Sequence, residues 1–247
     1  MYSKLKDTPI IVLCGGLGTR LRSTLPDKPK VLAPIGEKTL FDFIIAMLTK
    51  AGFEKIILSV GYLKEHIKEH ALKNQYLVIF SEEEEPLGTG GAVKAALPFV
   101  GTKQFFVMNG DTVFNPNFEK LYVFHEEKDG IMSMALTTRY VGSGGNIVSL
   151  AEDGRVIGWR EKTAEDTSEQ FDLNAGTYLM EPSVADYFPQ KKKFSLENDL
   201  FPILFEQECY AFPTQEIFID IGVPERYEIA LKMFKNDASL SPKLKMW

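Results

Sequence analysis

The sequence predicts a doubly wound α/β domain with a mostly parallel sheet, and two observations support this prediction. Short apolar runs rich in Ile, Val and Phe alternate with stretches whose apolar residues recur every three or four positions. This alternation implies parallel strands joined by right-handed crossovers, with helices on both faces of the sheet. The chain has 247 residues, 45% of them hydrophobic, which is enough to bury such a core.

The first half of the chain contains the predicted parallel core. Its strands are the apolar runs at residues 10–13, 55–60, 76–80 and 105–108. Its helices are predicted at residues 40–48 with a stop at Ala51-Gly52, at residues 63–72 and at residues 89–97.

The sequence of the second half of the chain predicts a mixed β extension of this Rossmann-like core. Strands are expected at residues 132–139, 147–150, 155–159, 173–180 and 216–221. Asp153-Gly154 favours a tight hairpin turn between the second and third of them. A final helix is predicted from Pro224 to Phe234, with proline in its first turn.

We therefore expect one domain over residues 1–236, with halves at about 8–130 and about 131–236. The tail at 237–247 is polar, with Ser and Pro, and its role is left open. Since the tail could dock on a neighbouring copy, a homo-oligomer is also left open.

Composition excludes several classes of function. A net charge of −6 and a pI of about 5.3 argue against a nucleic-acid-binding surface. No apolar run approaches the roughly 20 residues that span a bilayer, and the N-terminus lacks the apolar stretch of a secretory signal, so we expect a cytoplasmic protein with no membrane segment. Cys14 and Cys209 are too isolated for a metal cluster, and we expect them to be reduced packing residues.

A glycine-rich stretch directly after the first strand predicts a small anionic ligand. Gly15-Gly16-Leu17-Gly18 places backbone amides where no Cβ obstructs close approach, and the next helix would add its N-terminal partial charge. Tight turns also need glycine, so the loop alone leaves both interpretations open. The four cations Arg20, Arg22, Lys28 and Lys30 favour the anion.

Two familiar phosphate loops do not fit this stretch. The ATPase-type loop ends in Gly-Lys-Ser/Thr, which is absent between Leu13 and Arg22. A dinucleotide-binding loop would require a third glycine where Leu21 stands, so a nicotinamide-dependent oxidoreductase would rest on the glycines alone.

Gly15-Gly16-Leu17-Gly18-Thr19-Arg20-Leu21, followed by Lys28-Pro29-Lys30-Val31-Leu32-Ala33-Pro34-Ile35, closely resembles the signature of the sugar-1-phosphate nucleotidylyltransferases. These enzymes join a nucleoside triphosphate to a sugar 1-phosphate and release pyrophosphate. The resemblance implies that Arg20 holds the departing pyrophosphate and that Lys30 neutralises charge near the α-phosphorus. It also implies a nucleotide-binding loop formed by Leu13, Gly15, Gly16, Gly18 and Thr19. Such a transfer depends on positioning and charge stabilisation more than on covalent help from the protein.

Two aspartates are candidate metal ligands. Asp111 follows the strand at 105–108 and should lie at a carboxyl edge of the sheet, while Asp220 lies in an apolar segment. An aspartate in such a place is explained either by a bound divalent cation or by a role as a helix cap or turn residue. In the family, a Gly-Asp acid and a late Asp hold Mg²⁺ on the phosphates, and Asp111 and Asp220 stand at those positions. A zinc site is not expected, because His66 and His70 should be solvated on one helix.

The acceptor side of the site is suggested by Glu161-Lys162 and Asn174. Glu-Lys pairs are usually surface charges. The resemblance implies instead that Lys162 grips the sugar phosphate, and that Glu161 and Asn174 bond to sugar hydroxyls. The family's usual Tyr-Gly falls on Gly145-Asn146, a departure that leaves the sugar open.

The acidic run from Glu82 to Glu85 is followed by Pro86-Leu87-Gly88-Thr89-Gly90-Gly91. Consecutive acids normally form a solvated loop. Here the stretch resembles the family's base-recognition loop, which includes Gly88. Because guanine presents N1–H and N2–H donors, Glu83 is the predicted base contact and Glu85 the alternative.

Several segments look most like the D-glycero-α-D-manno-heptose 1-phosphate guanylyltransferases. They are Leu58–Tyr62, Glu85–Ala92, Asn109–Thr112 and Phe218–Pro224. The resemblance implies GMP transfer from GTP to the heptose 1-phosphate, giving GDP-heptose and pyrophosphate for bacterial surface glycans such as S-layer, capsule or lipopolysaccharide O-chain. Mannose-1-phosphate guanylyltransferase, N-acetylmuramate-1-phosphate uridylyltransferase and a non-enzymatic nucleotide-sugar sensing subunit remain alternatives.

Overall fold

The computed structural model describes residues 4–21, 24–141, 145–163, 165–166 and 171–236. Arg22 and the tail at 237–247 lie outside the described residues. Among the helices of the described ranges, none combines the length and apolar character needed to cross a bilayer.

The strands, in chain order, are β1 (Ile10–Leu13), β2 (Pro34–Ile35), β3 (Lys38–Thr39), β4 (Ile56–Val60), β5 (Ile79–Glu82), β6 (Phe105–Asn109), β7 (Thr112–Val113), β8 (Met132–Thr137), β9 (Asn146–Leu150), β10 (Val156–Glu161), β11 (Leu173–Met180), β12 (Cys209–Thr214) and β13 (Ile219–Asp220). The α-helices are α1 (Leu40–Ala51), α2 (Lys64–Lys73), α3 (Gly88–Ala96), α4 (Phe118–Lys128), α5 (Phe201–Leu204) and α6 (Pro224–Asn236).

One mixed sheet runs through both halves of the chain. Strands β5, β4, β1 and β6 are parallel neighbours in that order. Strand β11 follows β6 in antiparallel orientation and pairs on its other edge with β8, which in turn pairs in parallel with β12. The β9–β10 hairpin joins the start of β11. This arrangement confirms the prediction of a doubly wound core with a mixed β extension.

Helices cover both faces of the sheet. Side chains alternate along each strand, so an apolar strand presents an apolar surface on both faces, and both must be buried. Ile10 and Val12 of β1 belong to a core that is closed by α1, α2, α4 and α6. Ile11 points to the opposite core, which is closed by α3, α5 and the segment at 182–200. All three residues are fully buried, as the continuous apolar run predicts.

Strand β5 begins three residues later than predicted. The amide of Tyr76 donates to the Ala71 carbonyl at 3.0 Å, so this residue still belongs to the turn that ends α2. The expected strand at 216–221 is also wrong in extent and is reduced to β13. The amide of Phe218 bonds to the Arg139 carbonyl instead of joining the main sheet.

Two of the longer elements were not predicted. Strand β12 contains Pro213, which argues against a strand, but β12 pairs with β8 alone among the named strands and so tolerates a missing donor there. Helix α4 carries the exposed Val123 within its apolar residues, which blurs the helical period.

Helix α1 begins at a capping box in which Thr39 and Asp42 bond reciprocally, and ends at Gly52 with φ of 104°. Asp42 also accepts a hydrogen bond from the Tyr76 hydroxyl at 2.8 Å and lies 2.7 Å from His70 Nε2. The expectation that His70 is solvated is therefore wrong, because its side chain is only 23% exposed and holds α2 against α1. His66, one turn earlier, is exposed as expected.

Candidate active site

A cleft of about 530 Å³ lies at the carboxyl ends of β1 and β6. The glycine loop forms its floor, and Lys30 and Asp111 line one side. The start of α3 lines another side, and Lys193 and Glu197 approach from a segment late in the chain. Open α/β sheets bind ligands at this edge.

The glycine loop fits close against its surroundings. Gly18 has a φ of +59°, where glycine is favoured, and a Cβ on Gly15 would lie 2.7 Å from a carboxylate oxygen of Glu83. A Cβ on Gly16 would meet nothing within 4 Å, so this backbone is open to a ligand. Thr19–Leu21 forms a three-residue 3₁₀ turn, which corrects the expectation of a helix directly after the loop. The loop therefore offers amides and the Arg20 cation, without support from a helix dipole.

Glu83 connects the glycine loop to the loop before α3. It is 7% exposed; Oε1 accepts a hydrogen bond from the Ser59 hydroxyl at 3.1 Å and Oε2 accepts one from the Leu87 amide at 3.0 Å. Each carboxylate oxygen has two acceptor sites, so both retain capacity for a ligand.

Of the two other residues predicted for this loop, one lines the cleft and one does not. Gly88 lines the cleft beside Glu83. Glu85 does not line it, because its exposed side chain forms an ion pair with Lys192.

Lys30 and Asp111 face each other as an ion pair at the wall of the cleft. The Lys30 side chain is 15% exposed and that of Asp111 is 37% exposed. A cation and an acid thus lie together beside the glycine loop.

Asp220 lies next to Asp111 because β13 pairs with β7. Its partner in the ladder is Thr112, and the Ile221 amide donates to the Asp111 carbonyl at 3.0 Å. Arg226 Nη1 lies 3.0 Å from Asp220 Oδ2, an ion pair that the sequence analysis missed because it assigned no contacts to the side chains of α6.

Burial, and then the negative charge of Asp111, raise the pKa of Asp220 despite the opposing charges of Arg226 and Lys30. The two carboxylates are therefore close enough to repel each other, and a cation between them would relieve this repulsion. In the described ranges there is no group of three or more His, Cys, Asp or Glu side chains that could hold a metal. Two neighbouring carboxylates could hold a divalent cation that has further ligands from water.

The five predicted sugar-phosphate residues come together beside this cleft, at the ends of β9, β10 and β11. Glu161 pairs with Asn146 in the hairpin, and the Lys162 amide donates to the Gly145 carbonyl at 2.9 Å. Asn174 Oδ1 accepts a hydrogen bond from the Gly176 amide, and its Nδ2 donates to the Tyr178 hydroxyl, both at 2.9 Å.

These five residues do not line the 530 Å³ cleft itself. Gly176 connects them to it, because a Cβ there would lie 2.6 Å from the side chain of Asn109, which does line the cleft.

Lys193 and Glu197 are cleft residues that sequence analysis missed. Lys191-Lys192-Lys193 reads as a solvated run of charge, and nothing in the residue types distinguishes the third lysine. Lys193 is exposed, and within the described ranges it forms no ion pair. It is thus a further cation available to an anionic ligand.

The sequence profile of the Nucleotidyl transferase family matches residues 9–236. The chain belongs to this nucleotidyl transferase family. Membership confirms the predicted family and an enzyme class that generally uses a divalent metal ion.

Relatives within the nucleotidyl transferase family are similar along most of their length. The chain is 40% identical to the D-glycero-alpha-D-manno-heptose 1-phosphate guanylyltransferase of Campylobacter jejuni, covering 88% of this chain and 96% of that protein. It is 35% identical to the enzyme of the same name from Aneurinibacillus thermoaerophilus, covering 90% and 96%. Mannose-1-phosphate guanylyltransferases are more distant relatives.

A solved nucleotidyl transferase structure has the same fold. HddC from Yersinia pseudotuberculosis, complexed with GMP-PN, superimposes with a TM-score of 0.78 at 31% identity, covering 92% of this chain and all of that one. The resemblance to the heptose 1-phosphate guanylyltransferases predicted from sequence is confirmed by these relatives.

Proposed function

We propose that this chain transfers GMP from GTP to D-glycero-α-D-manno-heptose 1-phosphate, giving GDP-heptose and pyrophosphate. The observation that carries the chemistry is the meeting of the glycine loop, Lys30 and Asp111 in one cleft. The choice of substrates rests on the likeness to relatives named for this reaction. The product would supply bacterial surface glycans.

Three cations would act on the phosphates. The amides of residues 15–19 and the Arg20 guanidinium bind the β- and γ-phosphates, and Lys30 leaves Asp111 in part to contact the α-phosphate. Lys162 holds the phosphate of the sugar. An oxygen of this phosphate attacks the α-phosphorus in line, the bond to the bridging oxygen breaks, and pyrophosphate departs with the displaced electron pair. Positioned positive charge stabilises the transition state.

We further propose that Asp111 and Asp220 hold Mg²⁺. The raised pKa of Asp220, due to its burial and the neighbouring Asp111 charge, supports a cation at this place. When bound, the ion would supply positive charge to the phosphate oxygens.

Glu83 is our candidate for guanine recognition. Its carboxylate is buried at the edge of the cleft and anchored by two hydrogen bonds, so its orientation is set before a base arrives. The remaining acceptor sites could take the N1–H and N2–H of guanine. A uracil base lacks this pair of adjacent donors, so GTP should be preferred to UTP.

A matrix of substrates tests the proposal. Pyrophosphate release would be measured with Mg²⁺ for GTP, UTP, CTP, ATP and dTTP against the 1-phosphates of heptose, mannose, glucose and N-acetylmuramic acid. We expect turnover with GTP and the heptose. Turnover restricted to mannose or to UTP would preserve the reaction type but overturn the substrate assignment, and inactivity with all pairs would favour a sensing subunit.

A further inference from the structure

The segment Lys192–Glu197, here called the strap, crosses the first turn of α3. Phe194 O accepts hydrogen bonds from the Gly90 and Gly91 amides at 3.0 and 3.2 Å, and the Phe194 amide donates to the Leu87 carbonyl at 2.9 Å. A Cβ on Gly90 would lie 2.3 Å from the Phe194 ring. The Gly90 and Gly91 amides in the first turn of α3 are thus bonded to the chain itself, and the strap is fixed to the base-recognition loop.

Glu197, the last residue of the strap, is held by two hydrogen bonds to one of its carboxylate oxygens. Its Oε2 accepts hydrogen bonds from the Thr89 hydroxyl at 2.7 Å and the Ser195 hydroxyl at 2.8 Å. The Leu196 amide in turn donates to Thr89 Oγ1 at 2.8 Å. These bonds fix Oε2 and leave Oε1 without a hydrogen bond within the described residues, on a side chain that lines the cleft.

Glu197 lies between the base-recognition loop and the sugar side. Thr89 is on the first turn of α3, whereas Tyr178 is on β11 and bonds to the predicted sugar residue Asn174. The Tyr178 ring packs against the ring of Phe201 with 4.9 Å between the centroids, and Phe201 directly follows the segment 196–200 that carries Glu197. Burial, and to a lesser degree the negative charge of Glu197, raise the pKa of the Tyr178 hydroxyl, in keeping with this placement.

We propose that Glu197 is a specificity-determining residue whose Oε1 accepts a hydrogen bond from a hydroxyl of the sugar 1-phosphate. The inference rests on the proposed function and adds a sugar contact outside the residues at 145–174. Thr89 acts as a positioning residue, because its hydroxyl fixes Oε2 and thereby the direction of Oε1.

Glu197→Gln gives a direct test. Two hydroxyl donors at the Oε2 position require an acceptor, so the new amide places its carbonyl oxygen there and turns its NH₂ group toward the cleft. The variant therefore replaces an acceptor with a donor without changing the shape of the side chain. Glu206→Gln, an exposed glutamate beyond α5, is the matched control.

We expect Glu197→Gln to weaken the binding of the sugar 1-phosphate by about 10- to 100-fold, since a hydrogen bond to a charged group is lost. Affinity for GTP, measured by calorimetry, should change by less than about twofold. Thr89→Val should shift the sugar affinity in the same direction, and Thr89→Ser should restore it. The control should match the wild type in both affinities.

Deoxy sugars separate a direct contact from a structural effect. Heptose 1-phosphates that lack single hydroxyls would be compared on the two proteins. At one position the wild type should lose about tenfold in kcat/KM while Glu197→Gln shows no further loss. An equal penalty for every deoxy sugar in both proteins, or a loss confined to GTP affinity, would overturn the proposal.

A different result would show that the proposed function is wrong. In that case the wild-type protein would release no pyrophosphate from GTP and the heptose 1-phosphate. In that case, calorimetry with the sugar 1-phosphate and a non-hydrolysable GTP analogue decides the role of Glu197. Equal sugar affinity of the wild type and Glu197→Gln, or no sugar binding by either, would refute it.

Discussion

Lys162 was assigned to the acceptor side from sequence alone, and the structure now gives its contacts. Its backbone joins the end of the β9–β10 hairpin to Gly145, and its ammonium group lies 5.0 Å from the centre of the Phe171 ring. The side chain is therefore supported on one side by an aromatic face, and it forms no ion pair with the residues that the structure describes.

Lys162→Ala should lower kcat/KM for the sugar 1-phosphate by about 100-fold, because a charged contact to its phosphate is lost. The Kd for GTP should stay within about twofold of the wild-type value. Steady-state kinetics with each substrate varied in turn, together with calorimetry, measures both. An unchanged KM for the sugar phosphate would remove Lys162 from the acceptor site.

Asp42 provides a prediction about stability. Burial alone would raise the pKa of Asp42, but hydrogen bonds from His70, Thr39 and Tyr76 outweigh burial and hold it below its ordinary value. A depressed carboxylate pKa stabilises the fold above the unfolded pKa of about 4, and this contribution is lost as pH falls through the folded pKa.

Asp42→Asn should therefore reduce the free energy of unfolding by about 1–3 kcal/mol at pH 7. The difference from the wild type should shrink as the pH falls below about 4. Urea unfolding across this pH range measures it, with the exposed Asp7→Asn as control. A constant difference at all pH values would contradict the assigned role of the charge.

His70 also marks the limit of sequence analysis for single residues. The glycine loop and Lys30 were predictable because one short motif contains both, and Asp111 because it directly follows a buried strand. The partner of His70 lies 28 residues away on another helix, and helical spacing cannot reveal such a contact. The roles assigned to Glu83, Asp220 and the sugar residues stay predictions until substrates are tested.

Among the elements, the first turn of α3 contains glycines that packing requires. Gly90→Ala would ordinarily stabilise a helix slightly. Here the new Cβ would overlap the Phe194 ring, which is 2% exposed and cannot move freely. Overpacking of this kind costs about 1–3 kcal/mol.

We expect Gly90→Ala to lower the free energy of unfolding by that amount and to reduce activity, because the strap would shift Glu197 and Lys193. Gly158→Ala is the control, since a Cβ at Gly158 meets no atom within 4 Å. Denaturant unfolding and pyrophosphate release would be measured on both variants. Equal stability of the two would argue against the close contact.

The strap could not be predicted at this scale. Its sequence, Lys192-Lys193-Phe194-Ser195-Leu196-Glu197, has the composition of a surface turn. Its position depends on glycines of α3 about a hundred residues earlier in the chain. Helices α1 and α2 were predictable because their apolar spacing and stop signals are local.

For the whole molecule, the shared sheet ties ligand binding to global stability. The cleft is bounded by the ends of β1 and β6 and by the strap, so a nucleotide would contact segments from both halves of the chain. A ligand at 100 times its Kd adds about 2.7 kcal/mol to the stability of the native state.

Saturating GTP should therefore raise the Tm by about 5–10 °C for a chain of this size. UTP at the same concentration should give a smaller shift if Glu83 reads guanine. Differential scanning calorimetry at fixed Mg²⁺ gives both values. Equal shifts with GTP and UTP would withdraw the role of Glu83 in base selection.

The fold class was predictable at this scale, whereas the strand order was not. Continuous apolar runs define β1, β4 and β6 as buried parallel strands whatever their neighbours. The insertion of β11 between β6 and β8 depends on pairings between distant segments, which no local pattern specifies. The predicted division near residue 130 crosses this continuous sheet and stays a prediction.

The strap also determines when the cleft is completed during protein synthesis. Thr89 and Glu197 are 108 residues apart, so at about 5–20 residues per second roughly 5–20 s pass between their synthesis on the ribosome. During that interval the start of α3 exists without the segment that anchors it. A chain released before residue 192 would lack the strap, and with it the Lys193 and Glu197 side chains that complete the cleft.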